Sequence, residues 1–130
     1  MQSYQLERTG NRPVTFTGEL IAESSTHSTD GPASNRWWNL SLYKTESEKF
    51  ALHIEYQTQW QGEHGRSDVS FRNSPEGLMK QLYLIEPEDA VIGYPLGQQY
   101  EDKQARLELI LRQAWDKAVS ELMDEFPEEI

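Results

Sequence analysis

The sequence predicts an α+β fold: a four-stranded antiparallel β-meander packed by one short and one long C-terminal helix. Between residues 13 and 73, apolar side chains recur at every second position, which is typical of strands with one buried face. After residue 73 the spacing changes to three and four residues, which is typical of amphipathic helices. The chain of 130 residues has no internal repeat, so we expect a single domain over residues 1–130.

The first strand is predicted at residues 13–22, and a Ser/Thr-rich surface loop is predicted over residues 23–35. Gly18 lies inside this strand and indicates a β-bulge or a close approach of another backbone. Four apolar side chains share one parity and are expected on the buried face: Val14, Phe16, Leu20 and Ala22.

The second and third strands, predicted at residues 36–44 and 50–60, show the clearest alternation in the chain. Placing their large apolar groups on one face pairs Leu42 with Phe50, Leu40 with Leu52, and Trp38 with Ile54. The side chains expected to be nearly fully buried are Leu40, Leu42, Leu52 and Ile54. His53 has the other parity, so we expect it on the opposite face of the sheet.

A short fourth strand is predicted at residues 67–73, with Val69 and Phe71 pointing into the core. The connection before it contains Gly62 and Gly65, which allow the positive φ values of a tight turn. Because the connections are short, apart from the Ser/Thr-rich loop, a meander is the simplest strand order.

Two helices are predicted after the sheet, at residues 75–85 and 98–125. Ser74 followed by Pro75 is a typical helix start, with Ser as the N-cap and Pro at the first helical position. The second helix would be roughly 42 Å long at about 1.5 Å per residue, which is longer than the predicted strands. Its wide apolar arc either packs on the sheet or forms the seam of a homodimer.

Composition excludes several classes of protein. The chain has no Cys, which excludes disulfide frameworks and thiolate metal sites. No stretch approaches the roughly 20 apolar residues that span a membrane, and no signal-peptide pattern begins the chain, so a cytoplasmic location is expected. Of the net charge of −10, residues 74–130 carry −8, which disfavours DNA binding through the helices.

No catalytic, cofactor or metal signature is present in the sequence. The three His residues are dispersed without the spacing of metal ligands. Phosphate-binding Gly-rich loops and the Gly-x-Ser-x-Gly nucleophile motif are absent. We therefore predict a non-enzymatic protein without a cofactor or a metal site.

The sheet face opposite the predicted core is the candidate binding surface. It is rich in aromatic and amide groups, which suit recognition because they offer contact area at low entropic cost. The candidate binding residues are Trp37, Asn39, Tyr43, His53, Glu55, Gln57 and Arg72. The alternative is an ordinary solvated face, with Trp37 covered in part by the Ser/Thr-rich loop.

Two functions fit these expectations. The first is an acidic interaction module that binds a protein partner, or a second copy of itself, through the sheet face or the long helix. The second is a single-stranded nucleic-acid binder that stacks bases on Trp37 and Tyr43. The predicted layout is similar, in topology alone, to that of Whirly-type domains, which grip single strands on a sheet.

Overall fold

A computed structural model describes residues 1–27, 36–59, 64–85 and 98–124 of the chain. The α+β class is confirmed, but the described part of the sheet has five strands in the order β1-β2-β3-β4-β5, so the prediction of four was wrong. All neighbouring strands are antiparallel. The elements are β1 (Gln2–Arg8), β2 (Asn11–Ser25), β3 (Arg36–Thr45), β4 (Phe50–Thr58), β5 (Arg66–Arg72), α1 (Pro75–Leu84) and α2 (Gln98–Asp124).

The strand that the sequence analysis missed is β1, which pairs with the first half of β2. Two residues, Thr9 and Gly10, connect the strands, and Gly10 has a φ of 78°. Positive φ is the conformation that two-residue hairpin turns require and that Gly adopts without strain. Tyr4 and Leu6 are the apolar residues within β1, so its alternation is short and easily overlooked.

The two halves of β2 pair with different strands: the first half with β1 and the second half with β3. Gly18 pairs with Gln2 on one side and with Thr45 on the other. A Cβ atom at Gly18 would overlap the Lys44 carbonyl oxygen and lie 2.9 Å from the Thr45 Cα, so this crossing requires Gly. The indication of a close backbone approach at Gly18 is therefore confirmed.

A register shift between Leu20 and Ala22 follows this crossing and exchanges the two faces of β2. Before the shift, Val14 and Phe16 pack on one face of the sheet. After it, Ala22 belongs to the core on the other face. The expectation that Val14, Phe16, Leu20 and Ala22 share a buried face was therefore wrong, and Leu20 is exposed.

β3 and β4 form a hairpin whose faces were predicted correctly and whose register was not. Leu42 pairs with Leu52 and Leu40 pairs with Ile54, two residues away from the predicted pairing. The ladder continues to the pair of Lys44 and Phe50, because a tight turn places Glu48 in the left-handed region at φ 63°. Leu40, Leu42 and Leu52 are buried as expected, whereas Ile54 is half-buried.

The sheet curls so that its two outer strands approach each other. The Thr9 N–H donates a hydrogen bond of 2.7 Å to the Ser67 carbonyl, and the Ser67 N–H donates one of 2.7 Å to Thr9 Oγ1. Val69 and Phe71 of β5 pair with His53 and Ala51 of β4, on the face away from Leu52. Their predicted placement with the Leu core was wrong, because the curled sheet has a concave face with its own apolar cluster.

Both helices cover the opposite face, which we call the helix face. Ser74 caps α1 by accepting a hydrogen bond of 3.3 Å from the Gly77 N–H, as the sequence predicted. α2 is fixed to β2 because Ser24 Oγ donates a 2.7 Å hydrogen bond to the Ala118 carbonyl. The buried stripe of α2 comprises Leu107, Leu111, Trp115, Ala118, Val119 and Leu122. These residues meet those of β2, β3 and β4 in the main core.

The apolar arc of α2 is core, as one of the two alternatives proposed. The described side chains between residues 101 and 106 are exposed, and they include no large apolar group. Leu109 is 57% exposed and stands apart from the buried stripe.

Residue 125 and the part of the Ser/Thr-rich loop between residues 28 and 35 lie outside the described residues. None of the described helices is long and apolar enough to cross a membrane.

The close crossing at Gly18 leads to a first prediction. Gly18→Ala should lower the free energy of unfolding by about 1–3 kcal/mol, since the new methyl group must displace main-chain atoms of β3. Gly77→Ala is the matched control, because its new Cβ would meet Arg72 side-chain atoms at 3.5 Å, an ordinary contact. Urea denaturation of both variants measures the difference. Equal stability of Gly18→Ala and the parent would contradict the crossing geometry.

Candidate functional site

The structure places six of the seven candidate residues on the concave face. Trp37, Asn39 and Tyr43 lie there on β3, and the pairing of β3 with β4 sets three further candidates beside them: His53, Glu55 and Gln57. Arg72 instead pairs with Phe50 of the main core, so its assignment to this face was wrong. Side chains of a strand alternate between the two faces of the sheet. Because Val69 and Phe71 point to the concave face, Arg72 points to the helix face.

The lower half of the concave face is a second apolar core. The rings of Tyr4, Phe16, Tyr43 and Phe71 have centroids 4.7–6.1 Å apart, with several edge-to-face contacts. Aromatic pairs of this kind add stability beyond the area they bury. Tyr43 is 8% exposed, so its ring is packed inside the protein and is not available for stacking with a ligand.

The upper half of the concave face, which we call the polar half, is lined by three strands. Glu23 pairs with Ser41 and Ser25 pairs with Asn39, because the register shift in β2 turns these side chains inward. The residues of the polar half are Glu23, Ser25, Trp37, Asn39, Ser41, His53, Glu55 and Gln57. Except for His53, they are half-buried or exposed and therefore accessible.

Several of these side chains hold one another in place. Ser25 Oγ donates a 2.8 Å hydrogen bond to Asn39 Oδ1. The imidazole of His27 contacts the Trp37 ring edge-on, with centroids 4.6 Å apart. Glu23 and Ser25 were assigned to a loop in the sequence analysis because Ser and Thr are typical turn residues. Glu23 and Ser25 lie on one face of β2, and Ser24 between them faces α2. This alternation of faces is what a strand that continues through residue 25 would show.

His53 lies at the border between the second apolar core and the polar half. Its partners across the ladder are Ser41 and Val69, and the residue is only 6% exposed. Nδ1 lies 3.6 Å from a carboxylate oxygen of Glu55. Nε2 is buried, and it has no hydrogen-bond partner among the described residues. An unsatisfied buried polar atom costs about 1–3 kcal/mol of stability.

The surroundings of Tyr43 raise the pKa of its hydroxyl. Burial raises the pKa of its hydroxyl, and a hydrogen bond with the Ser41 side chain partly opposes this. The neighbouring Tyr4, Glu55 and Glu23 raise the pKa further, because negative charge disfavours a phenolate. The Tyr43 hydroxyl therefore lies in the field of both carboxylates, although these belong to different strands.

The Lys and Arg side chains of β3 and β5 lie on the other side of the sheet. Arg66 pairs with Tyr56 of the main core, and Lys44 and Arg72 both flank Phe50. Arg36 shares the parity of Trp38, which also belongs to that core. Among the described residues, the polar half contains two Glu and no Lys or Arg, so its field is negative.

Ser41, His53 and Glu55 have the residue types of an acyl-transfer triad. Their geometry does not support that chemistry, because Nε2 of His53 makes no hydrogen bond to Ser41 and is buried. β3 and β4 each lie between two neighbours, so ladder hydrogen bonds engage the main-chain N–H groups that could stabilise an oxyanion. These three side chains are therefore not arranged as a nucleophilic triad.

Neither a search for metal-binding groups nor comparison with known proteins assigns a function to these residues. Within the described ranges, no group of three or more His, Asp or Glu side chains could hold a metal ion. Comparison of the chain with protein-family models, curated proteins and solved structures gave no match.

The unpaired nitrogen of His53 leads to a second prediction. His53→Leu should raise the free energy of unfolding by about 1–3 kcal/mol, because it removes a buried polar atom without a partner. The matched control is Leu52→Ala at the adjacent position on the helix face, where the loss of a fully buried side chain should cost about 2–5 kcal/mol. Chemical denaturation near neutral pH compares the two. Marked destabilisation by His53→Leu would indicate a hydrogen bond in solution.

The raised pKa of Tyr43 leads to a third prediction. The unfolded chain ionises this residue near pH 10 while the folded chain keeps it protonated, so the associated stability is present below about pH 10. It is lost as the pH rises through the folded pKa. Tyr43→Phe should therefore weaken the alkaline loss of stability. Tyr4→Phe should have a smaller effect on the Tyr43 contribution, because burial is the largest cause of the raised Tyr43 pKa and Tyr4 is a lesser one. Denaturation curves between neutral pH and pH 11 measure this, and parallel curves for the parent and Tyr43→Phe would contradict it.

Proposed function

We propose that this protein is a non-enzymatic interaction module that binds a protein partner through the polar half of the concave sheet face. The observation that carries the proposal is the combination of accessible and fixed groups at this position. Trp37, Asn39 and Gln57 are half-buried and accessible, and they project from two central strands that are paired on both sides. Rigid aromatic and amide groups give contact area and hydrogen bonds at low entropic cost.

The placement of charge supports a protein partner over single-stranded nucleic acid. Nucleic-acid binding gains most of its affinity from Lys and Arg side chains that neutralise phosphates. The four such residues on β3, β4 and β5 share the parity of the helix face, and Glu23 and Glu55 lie on the concave one. Burial of Tyr43 also removes one of the two rings on which bases would stack.

The sheet face is also a better candidate than the long helix. The apolar stripe of α2 is buried against the sheet. In the described part of α2, the large apolar side chain that stays exposed is Leu109. A groove beside the helices has an apolar floor of Leu82, Trp115 and Val119. Its rim is formed by ordinary surface residues of α2, and nothing in the structure shows what would cover it.

Selection of peptides from a display library on the immobilised protein tests the proposal. Selected peptides should bind the parent chain, and Gln57→Arg should weaken them at least tenfold, because a longer charged side chain then fills the polar half. Gln113→Arg makes the same change on the exposed side of α2 and should leave binding unchanged. Calorimetry and Trp fluorescence give the affinities.

Two outcomes would contradict the proposal. Equal weakening by Gln57→Arg and Gln113→Arg would place the peptides elsewhere or show a loss of folding. Submicromolar binding of a single-stranded oligonucleotide that falls steeply with salt and disappears in Trp37→Ala would favour the nucleic-acid alternative.

A further inference from the structure

We propose that the outer edge of β5, the side of this strand away from β4, pairs with the same edge of a second copy of this chain. The pairing is antiparallel and has its two-fold axis at Ser70, so the two sheets join into one. It goes beyond the proposed function, because the polar half lies on β2, β3 and β4. Two observations lead to it: the direction of the main-chain groups of β5 and the order of its charges.

The direction of the main-chain groups of β5 follows from its contact with Thr9. Both the N–H and the carbonyl of Ser67 form hydrogen bonds with Thr9 and not with β4. In an antiparallel ladder, successive residues of a strand direct their main-chain groups to alternate sides. The N–H and carbonyl groups of Val69 and Phe71 therefore also point away from β4, toward the outer edge.

The outer edge is unpaired beyond Ser67. β5 is the last strand in the sheet order, and its ladder partner is β4. Within the part of the chain that the structure describes, the main-chain groups of Val69 and the N–H of Phe71 make no hydrogen bond. The Phe71 carbonyl accepts a 2.7 Å hydrogen bond from Nη1 of Arg72 on the same strand. An edge with free main-chain donors and acceptors is a template for another strand.

The charges of β5 identify a second copy as the partner. Asp68 and Arg72 lie on the same face of the strand, and both are exposed. With the two-fold axis at Ser70, Asp68 of each copy lies opposite Arg72 of the other copy, and Val69 lies opposite Phe71. Opposite charges directly across an antiparallel pair stabilise it. In this register β5 is therefore complementary to itself.

The neighbouring registers are less favourable. Moving the axis back by one residue places Arg66 opposite Arg72, and moving it back by two places Asp68 opposite its own copy. Like charges directly opposite each other destabilise a strand pair. Moving the axis forward by one residue places Asp68 opposite Ser74, which lies beyond the end of β5. The order of charges therefore favours a single register.

The same register also satisfies the free main-chain groups. Val69 and Phe71 each donate a hydrogen bond to the other residue across the axis and accept one from it. The Arg72 guanidinium, which holds the Phe71 carbonyl of its own strand in the single chain, then lies across from Asp68 of the second copy. Because a two-fold contact uses the same surface on both copies, the assembly closes as a dimer.

Sedimentation equilibrium of the full chain tests the proposal, since the average mass should rise toward twice the monomer mass as the protein concentration increases. Asp68→Arg and Arg72→Asp should each raise the dissociation constant of the dimer at least tenfold, because each variant places like charges opposite each other. The double variant Asp68→Arg/Arg72→Asp exchanges the two charges and should restore the dissociation constant of the parent. A double variant as weak as the single variants would contradict the register.

Two further variants separate the edge from general effects. Asp102→Arg makes the same change in net charge at an exposed position of α2 and should not weaken the dimer. Val69→Pro removes a donor of the outer edge while keeping the ladder with β4, so it should abolish the dimer and leave a cooperative thermal transition in circular dichroism. A parent chain that stays monomeric up to about 1 mM, or a dimer that the Asp68 and Arg72 variants do not weaken, would overturn the proposal.

Discussion

The architecture depends on one close contact between two backbones, at Gly18 of β2 and Lys44 of β3. Because no side chain intervenes, β2 can pass close to β3 there, and it pairs with β1 before Gly18 and with β3 after it. The register shift that follows allows one strand to supply apolar side chains to two cores. The outer strands of the curled sheet meet through hydrogen bonds between Thr9 and Ser67.

Much of the fold follows from local patterns in the sequence. The alternation in β3 and β4 correctly predicted which side chains face the helices, and Ser74 with Pro75 correctly predicted the start of α1. The register of the hairpin was wrong by two residues. The turn places Glu48 in a left-handed conformation, which sequence rules assign to Gly or Asn, so the ladder extends further than the residue types indicate.

The candidate site was predictable only in part, because alternation says nothing about curvature. The parity of His53, Glu55 and Gln57 placed them correctly on the face opposite the Leu core. A flat sheet would leave that face in water, whereas the curled sheet buries Tyr43 and His53. The contribution of Glu23 was also hidden, because the register shift in β2 exchanges the faces at a position that apolar periodicity does not mark.

The two faces of β3 and β4 show how stability and recognition are divided between the sides of one sheet. The helix face carries the largest buried side chains and also the strand cations, whose long apolar stems can lie along the core margin while their charges reach water. The concave face buries an aromatic cluster at one end and keeps polar groups at the other. His53 stands at the junction, where a Leu would extend the apolar cluster without leaving a polar atom unsatisfied. A residue that lowers stability at the edge of an accessible polar surface is the pattern expected where binding, and not folding, determines the side chain.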